Sequence, residues 1–373
     1  MADAAPVWAL GLMCGTSMDG VDAALLETDG ERVTGLGPSL ALEPAYDGPT
    51  RTRLADCMSA WADGTGGRDT ALGRAVDRIH AAAAIGLMAR HDAPVAALGY
   101  HGQTVFHAPE RGLTVQLGDG AWLAETTGVP VVWDFRAADV AAGGEGAPLA
   151  PFYHWALARR LGAAAPIAFL NIGGVANVTW IDPRAEAPEA GGALLAFDTG
   201  PGNALIDDLV RARTGMPCDR DGALAARGRA QPGRLASNAA SAFLARRPPK
   251  SLDRNAFAAL GARVAELGLE DAAATLTAFT ADCVAAALPH LPEPPARWLV
   301  CGGGRRNPVL MARLADRLGA PVEPVEAAGL DGDMLEAQAF AFLAVRALRG
   351  LPLSAPGTTG CPSPLTGGRI SRP

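Results

Sequence analysis

The chain has 373 residues, 49% hydrophobic and 19% charged, with a formal net charge of -7. That length exceeds what one hydrophobic core ordinarily supports, so two domains are expected. The acidic balance, with no basic run longer than Arg246-Arg247 or Arg305-Arg306, excludes a surface that tracks nucleic-acid phosphates.

The first cationic side chain is Arg32, so the apolar stretch 6–14 lacks the basic start of a signal peptide. No other window reads as a membrane span of roughly 20 apolar residues. The six cysteines contain no CxxC pair, which argues against a zinc site or disulfide framework and fits a reducing compartment. A cytoplasmic, unanchored protein is expected.

In chain order, an apolar run at 7–13, a turn-like 14–20 and a second apolar run at 21–26 read as a β-hairpin with a glycine-containing tip. Residues 70–91 read as a buried helix and 95–99 as a strand. The Gly, Ala and Pro-rich segment 139–151 is placed at a domain boundary, giving domains 1–140 and 141–349 with a tail, 350–373, packing back on the first. Runs at 167–172 and 175–181 around Gly173-Gly174 repeat the hairpin half a chain later, the pattern of an internal duplication. A strand at 193–197, helices at 204–213 and 256–288, a strand at 298–301, and helices at 308–318 and 334–349 follow. This order predicts an α/β protein with mixed sheets.

Three glycine-centred constellations carry candidate chemistry. At the first tip, Gly15, Thr16, Ser17, Met18, Asp19, Gly20, Val21 and Asp22 combine turn N–H groups with hydroxyls for an anion and carboxylates for hydrated magnesium. Phe197-Asp198-Thr199-Gly200-Pro201-Gly202-Asn203 ends a strand and opens a helix, whose unpaired N–H groups and positive dipole end suit phosphate. Gly302, Gly303 and Gly304 permit close approach of a flat ligand such as adenine, with Arg305 or Arg306 to stack on it. Asn307 and Pro308 then fit the cap and first position of a helix. Lys250 is the only lysine and adjoins no glycine run, which excludes a Walker loop; it reads as a solvated loop residue.

These segments, with HGQT at 101–104, DFRAADVAAGGEGAPL at 134–149 and NIGGVANV at 171–178, resemble the anhydro-N-acetylmuramic acid kinase family in its order and spacing. The resemblance implies two similar actin-like ATPase domains, each a ribonuclease H-like mixed sheet flanked by helices, around a central cleft. It implies ATP and Mg2+, with Asp19 and Asp22 toward the metal and Asn177 added to the nucleotide residues. The implied reaction is cleavage of the sugar's 1,6-anhydro bond by water with phosphorylation of O6, in peptidoglycan recycling. Asp198 maps onto the family's general base, expected ionised, with no need for a second carboxylic acid because O6 gives its charge to phosphorus.

On the acceptor side His101, Gln103 and Thr104 are expected to meet sugar polar groups. Arg136 is the expected fork for a lactyl carboxylate, with Asp134 and Asp139 orienting it or taking hydroxyls. Glu336 is read either as a sugar contact or as the capping-box partner of Asp333. Glu145 stands where relatives commonly carry glutamine. Family analogy also implies a homodimer. The alternatives are a kinase of the same superfamily for another sugar, an ATP-regulated chaperone or filament protein, and a silent sugar sensor.

Overall fold

The computed structural model describes residues 5–15, 18, 20–67, 69–235, 238–252, 254 and 256–373. Thr16, Ser17 and Asp19 of the first hairpin tip therefore lie outside the described residues. The chain forms two compact units, one of Met1–Gly162, Ala187–Gly191 and Met334–Pro373, the other of Ala163–Glu186 and Gly192–Asp333.

In the first unit, β1 (Val7–Cys14), β2 (Val21–Thr28) and β3 (Val33–Leu42) form an antiparallel meander. β4 (Val95–Ala108) pairs parallel with β1, β5 (Leu113–Leu117) folds back on β4, and β6 (Val131–Trp133) pairs parallel with β4. β1 is almost uniformly apolar because helices cover both faces of the sheet. Leu10 and Leu12 pack with Leu72, Val76 and Leu87 of the helix Thr70–Met88, which Asp69 caps by accepting from the Leu72 N–H at 2.9 Å. Strand alternation turns Gly11 to the other face. There a Cβ on Gly11 would lie 1.7 Å from the Ala337 carbonyl oxygen, and one on Gly99 of β4 2.0 Å from that of Phe340, so the helix Leu335–Leu348 sits directly on the sheet backbone. Burial of Phe340 at that contact contributes about 1.5–3 kcal/mol.

The second unit repeats the plan. β7 (Ile167–Ile172), β8 (Val175–Ile181) and β9 (Leu194–Pro201) are an antiparallel meander, and β10 (Trp298–Cys301) and β11 (Val322–Pro324) add in parallel beside β7. The sheet order is β11-β10-β7-β8-β9, matching β6-β4-β1-β2-β3 of the first unit. β12 (Arg369–Ser371) extends the first sheet by pairing antiparallel with β6. Two mixed sheets flanked by helices are the expected class, and the recurring hairpin reflects a recurring topology.

Several boundaries differ from expectation. The units divide at Gly162 instead of 140, and the helix after Met334 belongs to the first unit, because Gly11 and Gly99 open a groove for it. Segment 139–151 lies within the first unit. The expected helix 256–288 is broken: a 3-10 turn, Ala258–Val264, precedes Gly268, and the helix proper is Leu269–Ala285. Leu269–His290 is the one stretch among the described residues long and apolar enough to cross a membrane, and 67% of its apolar window is buried within the fold.

Candidate active site

On the acceptor side, β4 continues through Ala108, so His101, Gln103 and Thr104 are strand residues instead of residues following a strand. The buried His101 donates Nδ1–H to the Gly102 carbonyl at 2.9 Å, which leaves Nε2 to accept from Arg136 Nε at 3.1 Å and Nη2 at 2.9 Å. Burial, then the adjacent guanidinium, hold His101 well below the ordinary imidazole range, so it stays neutral. Arg136 Nη1 donates to the Gly146 carbonyl at 2.7 Å. Burial lowers its pKa to about 10, against the pull of Glu336 and Asp139.

Asp139 is buried. Its Oδ1 accepts from the Gly146 N–H at 2.7 Å, and its Oδ2 from Ser354 Oγ at 2.5 Å and Thr359 Oγ1 at 2.6 Å. The expectation that Asp139 takes sugar hydroxyls is corrected: it pins the loop whose Gly146 carbonyl holds Arg136. Gln103 is corrected too. Because β4 runs parallel to β1 with Gln103 opposite Cys14, its fully buried amide accepts from Tyr46 Oη at 3.2 Å and donates to the Gly15 carbonyl at 3.2 Å. Gln103 braces the hairpin turn instead of reaching for a sugar. Thr104 is half-buried and accepts from Gln116 Nε2 at 3.4 Å. Asp134, directly after β6, holds φ of 54°, a left-handed conformation uncommon outside glycine and enriched at functional sites.

Glu336 lies in the first turn of its helix with an accessible side chain. Crowding by surrounding protein raises its carboxyl, and Arg136 pulls it down. The capping-box reading is not supported: no side chain caps that helix at Met334, and Asp333 is bonded to Arg305 and Arg306.

At the first hairpin, Met18 donates its N–H to the Gly15 carbonyl at 3.1 Å and takes φ of 59°. Val21 is a core side chain, Gly20 packs on Glu43, and Asp22 lies on β2 opposite Ala41. Arg51, which the sequence reading did not single out, donates to the Met18 carbonyl at 2.9 Å.

In the second unit three glycine motifs meet at one tip. The N–H groups of Gly202, Asn203 and Ala204 donate to the Gly174, Gly173 and Gly174 carbonyls at 2.9, 2.7 and 3.2 Å, and Asn203 Nδ2 donates to the Ile172 carbonyl at 3.2 Å. This narrows the expected row of unpaired N–H groups at the helix start to those of Leu205 and Ile206, since no side chain caps that helix. A Cβ on Gly202 would lie 2.3 Å from the Gly173 carbonyl oxygen, and one on Gly302, at φ of 71°, 2.4 Å from Asn171 Oδ1. Gly304 packs on Ile172, whereas Gly200 makes room for Cys283 of the helix Leu269–Ala285. Asn307 Oδ1 caps the helix Pro308–Leu318 by accepting from the Val309 and Leu310 N–H groups at 3.0 and 3.1 Å.

Beside this tip lies a cavity of about 520 Å³ lined in part by Asn203, Asp207, Asp221, Gly303, Arg306 and Asn307. Burial raises the Asp207 carboxyl to about 6, against the pull of Arg211. Of the two arginines expected to stack on adenine, the buried Arg305 is fully committed: it donates to Glu326 at 2.7 Å and to the Gly302 carbonyl at 3.0 Å, and pairs with Asp333 at 3.0 Å. Arg306 is the exposed one.

Asp198 lies inside β9, not beyond its end, and faces Asn177 across β8. Its N–H donates to the Lys250 carbonyl at 3.0 Å, and its Oδ2 accepts from the Leu252 N–H at 2.7 Å. Lys250, expected to be solvated, is 3% exposed.

The model of the family described as anhydro-N-acetylmuramic acid kinase matches residues 7–372. The chain belongs to the anhydro-N-acetylmuramic acid kinase family. An anhydro-N-acetylmuramic acid kinase of Cereibacter sphaeroides is 56% identical over 367 residues, covering 98% of this chain and 96% of that protein. One from a Jannaschia species, named anhydro-N-acetylmuramic acid kinase 1, is 53% identical over 368 residues, with 99% and 96% covered. The kinase class implied by the resemblance thus stands. Among the described residues of this family member, no group of three or more His, Cys, Asp or Glu side chains is set to hold a metal ion.

Proposed function

We propose that this chain converts 1,6-anhydro-N-acetylmuramic acid, ATP and water to N-acetylmuramic acid 6-phosphate and ADP, a salvage step of peptidoglycan recycling. Family membership supports the reaction class, and the observation that carries the mechanism is Asp198, a carboxylate held on a strand by two backbone bonds.

Asp198 takes a proton from water as the water oxygen bonds to C1 of the sugar. The C1–O6 bond breaks with its electron pair on O6, O6 bonds to the γ-phosphorus, and the bond from that phosphorus to ADP breaks. The charge of O6 goes to phosphorus, so no second carboxylic acid has to protonate it. On the sugar, Arg136 pairs with the lactyl carboxylate through N–H groups beyond the three already used, oriented by neutral His101, with Thr104, Asp134 and Glu336 toward hydroxyl and acetamido groups.

The nucleotide phosphates are assigned to Gly15, Thr16, Ser17, Met18, Asp19, Gly20 and the backbone of Val21, and to Asn177, Gly200, Gly202 and Asn203. The adenosine is assigned to the cavity bordered by Gly303, Asn307 and Arg306 behind Gly302 and Gly304. One or two carboxylates suit magnesium, which keeps most of its waters, so Asp22 with Asp19 would hold it, and it would neutralise phosphate charge. We place the enzyme in the cytoplasm, where six free cysteines stay reduced, and as a homodimer, which light scattering at the monomer mass would disprove.

Asp198→Asn tests the assignment. Turnover should fall on the order of 10²- to 10⁴-fold, the usual worth of a general base, with ATP affinity kept; near-normal turnover removes Asp198 from that role.

A further inference from the structure

Lys250 is a buried ammonium with its own architecture. Its Nζ donates to the Phe243 and Leu244 carbonyls at 3.2 and 3.1 Å, in the last turn of the helix Asn238–Ala245. Those carbonyls lie at the negative end of a helix, where a cation is favoured; the Phe243 carbonyl also accepts the Arg246 N–H at 3.1 Å and the Leu244 carbonyl meets His290 Nε2 at 2.9 Å. Nζ also stands 4.8 Å from the Phe243 ring centroid and 5.5 Å from that of Phe197, the residue before Asp198. Burial lowers the pKa of this ammonium, with Arg246 acting the same way and Cys283 and Asp198 opposing.

The main chain at the same residue grips Asp198. The Lys250 carbonyl accepts the Asp198 N–H, and two residues on, the Leu252 N–H donates to Asp198 Oδ2. Segment 250–252 therefore fixes both the backbone and one carboxylate oxygen of Asp198, and the segment is itself anchored by the Lys250 side chain.

We infer that Lys250 is a positioning residue for the general base: its ammonium, seated on the helix end and the two rings, holds segment 250–252 so that the Leu252 N–H fixes the Asp198 carboxylate. The inference rests on Asp198 being the base. A misplacement of about 1 Å in a reacting group lowers turnover on the order of a hundredfold, and that is the scale of effect at stake.

Lys250→Met keeps an unbranched side chain, one atom shorter, and removes the charge and the donors. It should lower kcat roughly ten- to a hundredfold, with KM for ATP and for the sugar within about twofold of wild type. Leu252→Pro, which removes the donor to Oδ2 together with the packing of the Leu252 side chain, should reproduce the kcat loss. The decisive readout is the pair with Asp198→Asn: once the carboxylate is gone, adding Lys250→Met should cost less than about twofold more. Full multiplication of the two losses, or a single variant with wild-type kcat, overturns the positioning role. A raised KM for ATP in step with lower kcat also overturns it, since that marks general damage to the second unit. Normal turnover of Asp198→Asn alone would instead overturn the reading of the base.

Discussion

Replacing Asp139 by alanine separates its structural duty from the sugar contact first expected of it. The carboxylate accepts three hydrogen bonds at 2.5–2.7 Å, from the Gly146 N–H, Ser354 and Thr359. Bonds to a charged acceptor are worth about 1.5–3 kcal/mol each, but freed hydroxyls can turn to other partners and the buried Gly146 N–H cannot. A net loss of about 3–5 kcal/mol follows, the usual cost of removing one member of a buried charged network. Asp139→Asn should cost only about 1 kcal/mol, because both hydroxyls can reverse and accept from the new amide. Urea unfolding of the full chain measures this. In Asp139→Asn, which stays folded, the negative charge that pulls on the Arg136 guanidinium is gone and Arg136 loosens, so KM for the sugar should rise several-fold with KM for ATP unchanged. Equal unfolding midpoints for wild type and Asp139→Ala, or an unchanged sugar KM in Asp139→Asn, would refute this reasoning.

Arg136→Lys removes the fork that bridges His101 and Gly146, and sugar KM should rise at least tenfold because an ammonium cannot hold both in one plane. Arg305→Ala should destabilise the second unit by about 1–3 kcal/mol, chiefly by taking the donor from the Gly302 carbonyl, since half-exposed Glu326 is solvated and Asp333 keeps Arg306, whereas Arg306→Ala should leave the unfolding midpoint in place and weaken nucleotide binding, read by calorimetry. Acid should destabilise the first unit. Burial lowers the pKa of His80 to about 4 and of His154 to about 3. The folded state then binds fewer protons than the unfolded one below the ordinary value of about 6.5, so their contribution is complete above that pH and is lost as pH falls toward 4. Each costs up to about 1.4 kcal/mol per pH unit, and urea midpoints at pH 6.5 and 5 that coincide would contradict it.

Much of this was legible in the chain because it is local. The hairpins at Gly15–Gly20 and Gly173–Gly174 follow from apolar runs around glycine turns, and the doubled topology from their recurrence. Helix Pro308–Leu318 starts where Asn307 and Pro308 say it should. What was not legible depends on partners distant in sequence. Lys250 looks like a loop lysine until the end of helix Asn238–Ala245 supplies carbonyls and Phe197 a ring. Gln103 and Asp139 have the residue types of sugar ligands, and only strand register and the segment near Ser354 show their amide and carboxylate already in use. The helix after Met334 gives no sign in its own sequence of which sheet receives it; Gly11 and Gly99, read as ordinary strand glycines, carry that information.

The central claim is that Asp198 activates water toward C1 while O6 leaves to phosphorus. Running the reaction with ATP, magnesium and 1,6-anhydro-N-acetylmuramic acid in ¹⁸O-water tests it most directly. The account predicts a sugar product with the heavy oxygen at C1 and an unlabelled phosphate at O6. No sugar product, or label on phosphate alone, would contradict it.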